Sequence, residues 1–173
     1  MKRKTLLLLT ILFCIAAKSF GQKLDENTVD DFTKKSIKRT SWESLFATSG
    51  SGQAHYRFSV VDNDETLDLR YNQNGKIFGI SEGLQFMLKL DNGDVITLLN
   101  PSFVITCKGC GATGMNGSGA EGIQVFYPIT KEQSDKLKAG KVVKVRIYTN
   151  DGYIEEDVKD KNAEKITASL NLL

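Results

Sequence analysis

Cys107 and Cys110 stand three positions apart in the stretch CKGCGATGMNGSGAEG, residues 107–122, and of all the side chains in this chain they offer the most chemistry. Two cysteines at this spacing can form a redox pair, half of a zinc knuckle, or a disulfide that pins a loop. The redox form needs its first cysteine at a helix N-terminus, where free amides and the helix dipole stabilise the thiolate. GCGATGMNGSG is a poor helix start, so that electrostatic device is not expected. A structural zinc site needs four ligands, yet His55 is the single histidine and there is no second cysteine pair. The stretch also matches the dinucleotide fingerprint at Gly109, Gly111 and Gly114. That fingerprint works only when its last glycine lies in a helix facing the pyrophosphate, whereas more glycines and the strand-like GIQVFYPI follow here.

What remains is a Cys107–Cys110 disulfide closing the base of a long glycine-rich loop. Binding residues tend to lie on loops carried by a rigid scaffold. The candidate partner-contacting residues are Gly109, Gly111, Thr113, Met115, Asn116, Ser118 and Glu121.

Elsewhere the catalytic inventory is thin. His55 begins a strand-like run and reads as a structural histidine rather than a base, and no nucleophile-elbow sequence accompanies it. Glu155 and Glu156 are adjacent, so on a strand they face opposite ways and cannot act on one bond. DNDETLD, residues 62–68, spaces its oxygens somewhat as a calcium loop does but lacks the glycine and the closing glutamate, and reads as a solvated turn. No cofactor, no metal site and no catalytic residue is assigned.

The elements that must position the loop begin after a leader. Met1, Lys2, Arg3 and Lys4 precede an apolar run over residues 6–17 and small residues at Ser19 and Gly21, the three-part pattern of a secretory signal peptide. The expectation is a signal peptide over 1–21, cleaved before Gln22, and a single β-rich domain over 22–173. A lipoprotein reading with Cys14 as the acylated residue is weaker, because Phe13 stands where a small residue is wanted. The leader holds Lys2, Arg3, Lys4 and Lys18; removing these four from the 23 basic residues leaves 19 against 21 acidic ones, a net charge of −2. A near-neutral domain with no basic cluster excludes nucleic acid as an expected partner, and no transmembrane segment is expected after cleavage.

Three Asn-Gly or Asp-Gly pairs set between alternating apolar residues predict tight hairpins. With Asn74 and Gly75 at the first turn, Tyr71 falls opposite Phe78 and Leu69 opposite Ile80. With Asn92 and Gly93 at the second, Phe86, Leu88, Leu90, Val95 and Leu99 share one face, and Met87, Ile96 and Leu98 the other. With Asp151 and Gly152 at the third, Val145 meets Val158, Ile147 meets Glu156 and Arg146 meets Asp157; Glu156 on the apolar side signals a sheet edge or a bulge. HYRFSVV, SFVITC and GIQVFYPI add strands, and DDFTKKSIKRTSWESL reads as one or two short ones, with Trp42 as a core or edge-covering residue. A capping box of Thr130 and Gln133 opens a short helix near 131–139 that Gly140 stops. Ala163, Ile166, Leu170 and Leu173 form the apolar stripe of a C-terminal helix near 160–172.

The expected fold is mainly β, of the α+β kind: an antiparallel β-sandwich or partly open barrel of about nine strands, with the last helix over one end or face. The expected function is a non-enzymatic binding or structural module of the periplasm, cell envelope or extracellular space; its partner is open among an envelope protein, a polysaccharide, a peptide and a second copy of the chain. The alternatives are a small hydrolase, or a redox or metal-binding protein using Cys107 and Cys110.

Overall fold

The computed structural model describes residues 22–73, 75–111 and 121–173. The expected leader over 1–21, with its expected cleavage point, therefore lies outside the described residues, as do Asn74 and the candidate contact residues Thr113, Met115, Asn116 and Ser118.

Among the described residues there are thirteen strands and two helices, more strands than the nine expected because several are very short. They are β1 (Leu24–Val29), β2 (Ser36–Thr40), β3 (Glu43–Thr48), β4 (Gly52–Val61), β5 (Asp64–Asn72), β6 (Gly79–Ile80) and β7 (Gln85–Leu90). Then come β8 (Val95–Leu99), β9 (Val104–Ile105), β10 (Cys107–Lys108), β11 (Glu121–Ile129), α1 (Lys131–Ala139), β12 (Val142–Thr149), β13 (Gly152–Asp157) and α2 (Asp160–Leu170).

A seven-stranded antiparallel sheet runs β1-β2-β4-β5-β11-β10, with β3 pairing the first half of β4 and β2 the second. A four-stranded antiparallel sheet runs β13-β12-β7-β8, and β6 pairs β9 in a two-stranded ladder. The inner faces of the two large sheets share one core: Tyr56, Phe58, Leu69, Tyr71 and Tyr127 from the first, Phe86, Leu88, Val145 and Ile147 from the second. Phe86 and Tyr127 meet across the gap with ring centroids 5.3 Å apart. The arrangement is a sandwich or open barrel rather than a closed one. In α2, Ala163, Ile166 and Leu170 are buried as the stripe predicts, and the helix packs on β3, β4, β12 and α1. No helix among the described residues is long and apolar enough to cross a membrane.

The capping box of α1 forms in full: Gln133 N donates to Thr130 Oγ1 at 3.2 Å and Thr130 N to Gln133 Oε1 at 2.9 Å. The Gln133 amide also donates to Thr97 O of the edge strand β8, at 3.0 Å. One side chain thus caps a helix and covers a sheet edge that would otherwise invite pairing with another chain.

The hairpins depart from expectation in instructive ways. The first does not form. β5 is paired along its length by β4 on one side and by β11 on the other, so no edge is left for β6. The chain after Gly75 instead crosses to β9, and Asn150 N donates to Gly79 O at 2.9 Å. Tyr71 and Phe78 do meet, with ring centroids 5.4 Å apart, but through core packing rather than as a cross-strand pair.

The second hairpin forms with a register one residue from that expected, because its loop holds three residues. Leu90 N bonds Asp94 O at 2.8 Å, and Gly93 takes φ 93, the left-handed position of a three-residue loop. Leu88 then faces Ile96 and Phe86 faces Leu98. Ile96 and Leu98 turn inward while Val95 and Leu99 are exposed, the reverse of the expected β8 faces. A single residue in the turn reverses every side chain of a strand.

The third hairpin turns at Asn150 and Asp151, two residues out of the expected register. Val145 faces Glu156, Ile147 faces Ile154 and Arg146 faces Glu155. A shift of two keeps each side chain on its face, so Glu155 receives Arg146 and Lys144 on one side while Glu156 accepts from Thr48 Oγ1 on the other. β13 is an edge strand, as Glu156 signalled.

SFVITC splits into β9 and β10, which serve different partners. DNDETLD begins as a turn, with Asp62 at φ 56 and Val61 opposite Asp64, but its second half is strand, and Asp68 is buried rather than solvated.

Candidate functional site

β4, β5 and β11 alternate between core and surface, and the side chains they send outward form one continuous face. His55 lies opposite Arg70, Arg57 opposite Asp68, Arg70 opposite Gln124 and Asp68 opposite Phe126. Trp42, just ahead of β3, lies partly buried on the same face. The guanidinium carbon of Arg57 lies 4.7 Å from its ring centroid and that of Arg70 4.1 Å. Trp42 is thus a stacking partner for two cations, not a member of the core.

Beneath them Asp68 is buried with 1% of its surface exposed. Its Oδ2 accepts from Arg57 Nε at 2.7 Å and Ser59 Oγ at 2.8 Å, and its Oδ1 from Thr66 Oγ1 at 2.8 Å. Arg70 Nε donates to Gln124 Oε1 at 3.1 Å. Burial first, then the neighbouring Arg57 charge, lowers the Arg70 pKa, with Asp68 acting the other way.

The clasp lies at the end of this face. Cys107 and Cys110 form the expected disulfide, with Cα atoms 5.3 Å apart, and Cys110 N donates to Cys107 O at 3.1 Å. Cys107 belongs to strand β10, not to a helix N-terminus, so the thiolate-stabilising device of redox pairs is not built around it. β10 pairs with the start of β11. Gly111 then lies on the outer face against Asn72 and Gly122: a Cβ on Gly122 would stand 2.5 Å from Gly111 Cα, and one on Gly111 3.1 Å from Asn72 Cβ. The Asn72 amide donates to Glu121 O. Of the candidate contact residues, Gly109, Gly111 and Glu121 therefore belong to the rigid base of the loop. The outward residues of β4, β5 and β11 were missed in the sequence reading. Their only sequence signal was the polar half of each strand's alternation, which any solvated sheet face also shows.

The protein isolated without reductant should be lighter by two hydrogens than its reduced form in intact-mass spectrometry; two free thiols would contradict the clasp. Replacing both cysteines by serine is expected to cost about 2 kcal/mol, since the closed loop is short.

His55 is half-buried, and burial, then Arg70, lowers its pKa, with Glu43 opposing. Glu43 is itself held by Lys165 of α2. The folded protein thus takes up a proton less readily than the unfolded chain. The stability His55 contributes is complete above its unfolded pKa of about 6.5 and is lost as pH falls through the folded value. Urea midpoints should therefore drop between about pH 7.5 and about pH 5, with a smaller drop in His55→Gln. Equal slopes would show that His55 does not carry this dependence.

Among the described residues no three His, Cys, Asp or Glu side chains gather as a metal site would require. A cavity of about 160 Å³ on the other sheet, lined by Met87, Lys89, Val95, Lys144, Arg146 and Glu155, is bordered by ion pairs of Glu155 with Lys144 and Arg146. No family model, curated protein or solved structure matches the chain.

Proposed function

We propose that this chain is an exported, non-catalytic binding module. It presents the outer face of its seven-stranded sheet, with the clasped loop at one end, to a partner in the cell envelope or outside the cell. The observation that carries the reading is the seating of the loop base. The disulfide, the β10–β11 pairing and the Gly111–Gly122 contact hold Gly111 and Glu121, the residues on either side of 112–120, at the end of that face. A long connection held this firmly suits recognition better than simple linkage. Export is supported by the leader pattern over 1–21 and by a disulfide, which persists in oxidising compartments.

The test is a pull-down from envelope extracts with the domain beginning at Gln22, with residues 112–120 intact or replaced by a short glycine linker. The intact domain should retain a partner that the shortened one loses. Equal retention by both would remove the loop from the binding surface.

A further inference from the structure

Exposed apolar side chains gather where β6, β9 and β11 meet, at a corner between the two large sheets. Gly79 pairs with Ile105 and Ile80 with Val104, and Thr106 N donates to Phe78 O at 3.0 Å, which carries the ladder on toward Ile77 and Cys107. Phe78 and Ile80 point into the core, so alternation turns Ile77, Phe103 and Ile105 outward. The Phe103 ring lies over Gly79, where a Cβ would stand 3.1 Å from its Cε2. β9 leads into β10, which pairs with the start of β11, and lies against β11 itself, whose outward Phe126 extends the same surface. Ile77 is 73% exposed, Phe103 59%, Ile105 56% and Phe126 49%.

At about 200 Å² for a fully exposed residue of this size, these fractions leave about 470 Å² of apolar surface in water, as large as the patches that mark binding sites on monomers. Homodimer interfaces are about 65% apolar, so a contact centred here would cover about 700 Å² of each copy, close to the roughly 800 Å² of a standard interface.

The main chain offers no edge at this corner. β9 has β6 on one side and β11 on the other, and Gly79 O, on the far side of β6, accepts from Asn150 N at 2.9 Å. A peptide adding a strand therefore finds nothing to pair with. The border of the patch is not of one sign either. Arg57, Lys76 and Lys108 stand near it together with Asp68, Glu82, Glu121 and Asp151, which suits neither an anionic membrane nor a charged polymer. An apolar centre inside a border of both signs is self-complementary: two copies turned about a two-fold axis cover centre with centre and bring cations of one border toward carboxylates of the other.

We propose that this corner is the two-fold contact of a homodimer, with Ile105 at the axis and Ile77, Phe103 and Phe126 around it. The contact goes beyond the preceding reading of the clasped loop and does not depend on it. It adds that the dimer carries two clasps, each at the end of the patch, because Cys107 lies across from Ile77.

Sedimentation equilibrium of the chain beginning at Gln22 tests it. The mass should rise with concentration to that of two chains and stop there, with a dissociation constant in the micromolar range or below. Ile105→Glu and Ile77→Glu should each raise that constant about tenfold or more. Both positions are exposed, and thermal transitions that coincide in dilute, monomeric samples would show that the variants fold. Ile105→Lys should be monomeric as well, and an equimolar mixture of Ile105→Glu with Ile105→Lys should recover the dimer, since the two side chains meet at the axis.

A native chain that stays monomeric at every concentration, assemblies that grow beyond two chains, a dimer unaffected by folded Ile105→Glu, or a mixture that fails to recover would each overturn the proposal. A monomer that floats with phosphatidylcholine vesicles would assign the corner to a lipid surface instead. The envelope pull-down is read separately: a loop-dependent partner held by a monomeric chain would leave the binding-module reading intact and discard the dimer.

Discussion

Asp68→Ala should lower the free energy of unfolding by about 3 kcal/mol, one of the two largest effects expected from a change on the proposed binding face. The carboxylate is buried and accepts from Arg57, Ser59 and Thr66. Removing it leaves Arg57, whose side chain is only 19% exposed, without its counter-charge. It also leaves the Ser59 hydroxyl, on a residue 4% exposed, without its acceptor. Loss of one partner of a buried pair costs far more than the pair contributes in net terms, because an uncompensated charge remains. The figure belongs at the low end of the usual range, since Arg57 can still reach water beside Trp42. The double variant Asp68→Ala with Arg57→Ala should therefore recover part of the loss in a urea-denaturation cycle. A loss below about 1 kcal/mol for Asp68→Ala would mean that the carboxylate behaves as an exposed group.

Gly122→Ala is the second. The added carbon would stand 2.5 Å from Gly111 Cα, 2.7 Å from Tyr71 O and 2.8 Å from Gly111 N, and all three are backbone atoms. None can swing aside as a side-chain tip would. Tyr71 is held inside the central ladder, and Gly111 lies one residue beyond the disulfide. Overpacking of this kind costs about 1 to 3 kcal/mol, and the rigidity on both sides puts this case near the upper figure. The strain should be relieved at the weaker end. Amide exchange should quicken at Cys107, Lys108 and Gly122 while the β4–β5 pairing stays protected. Gly50→Ala, where a Cβ meets nothing within 4 Å, is the control. Matching stabilities for the two alanine variants would show that the loop base yields freely.

Both effects lie on the face proposed to bind, and this couples function to stability. The buried carboxylate that anchors Arg57 also orients it on Trp42, so a variant that unseats Asp68 should weaken partner binding along with the fold. The glycine contact likewise fixes Gly111 against Gly122 at the end of the face. Outward changes such as Phe126→Ala touch neither device, so they can report on binding alone.

The sequence by itself determined whatever depends on neighbours along the chain. Thr130 and Gln133 lie three apart, so their capping box needed only local backbone, and it forms as expected. Ala163, Ile166 and Leu170 repeat at the helical period and are buried on that account. Cys107 and Cys110 are close enough in sequence that a tight turn brings their sulfurs together in any fold lacking a helix there. The second half of β5 was equally legible, with Leu69 and Tyr71 on one apolar face, whereas its first half read as a solvated turn.

Tertiary structure decided what depends on which strand wins a given edge. Asn74-Gly75 is a sound hairpin signal, yet β5 is taken up by β4 and β11, since a ladder of nine residues outweighs one of two or three. Gly93 closes a three-residue loop instead of a two-residue one, a difference of a single backbone position that turns Ile96 and Leu98 inward and Val95 and Leu99 outward. The outer face itself was beyond sequence reading. Trp42, Arg57, Asp68, Arg70 and Phe126 come from four separate segments, and each alone looks like an ordinary surface or edge residue. Only the register of β4 on β5 and of β5 on β11 brings them side by side, because pairing across strands is set by long-range packing that local spacing does not encode.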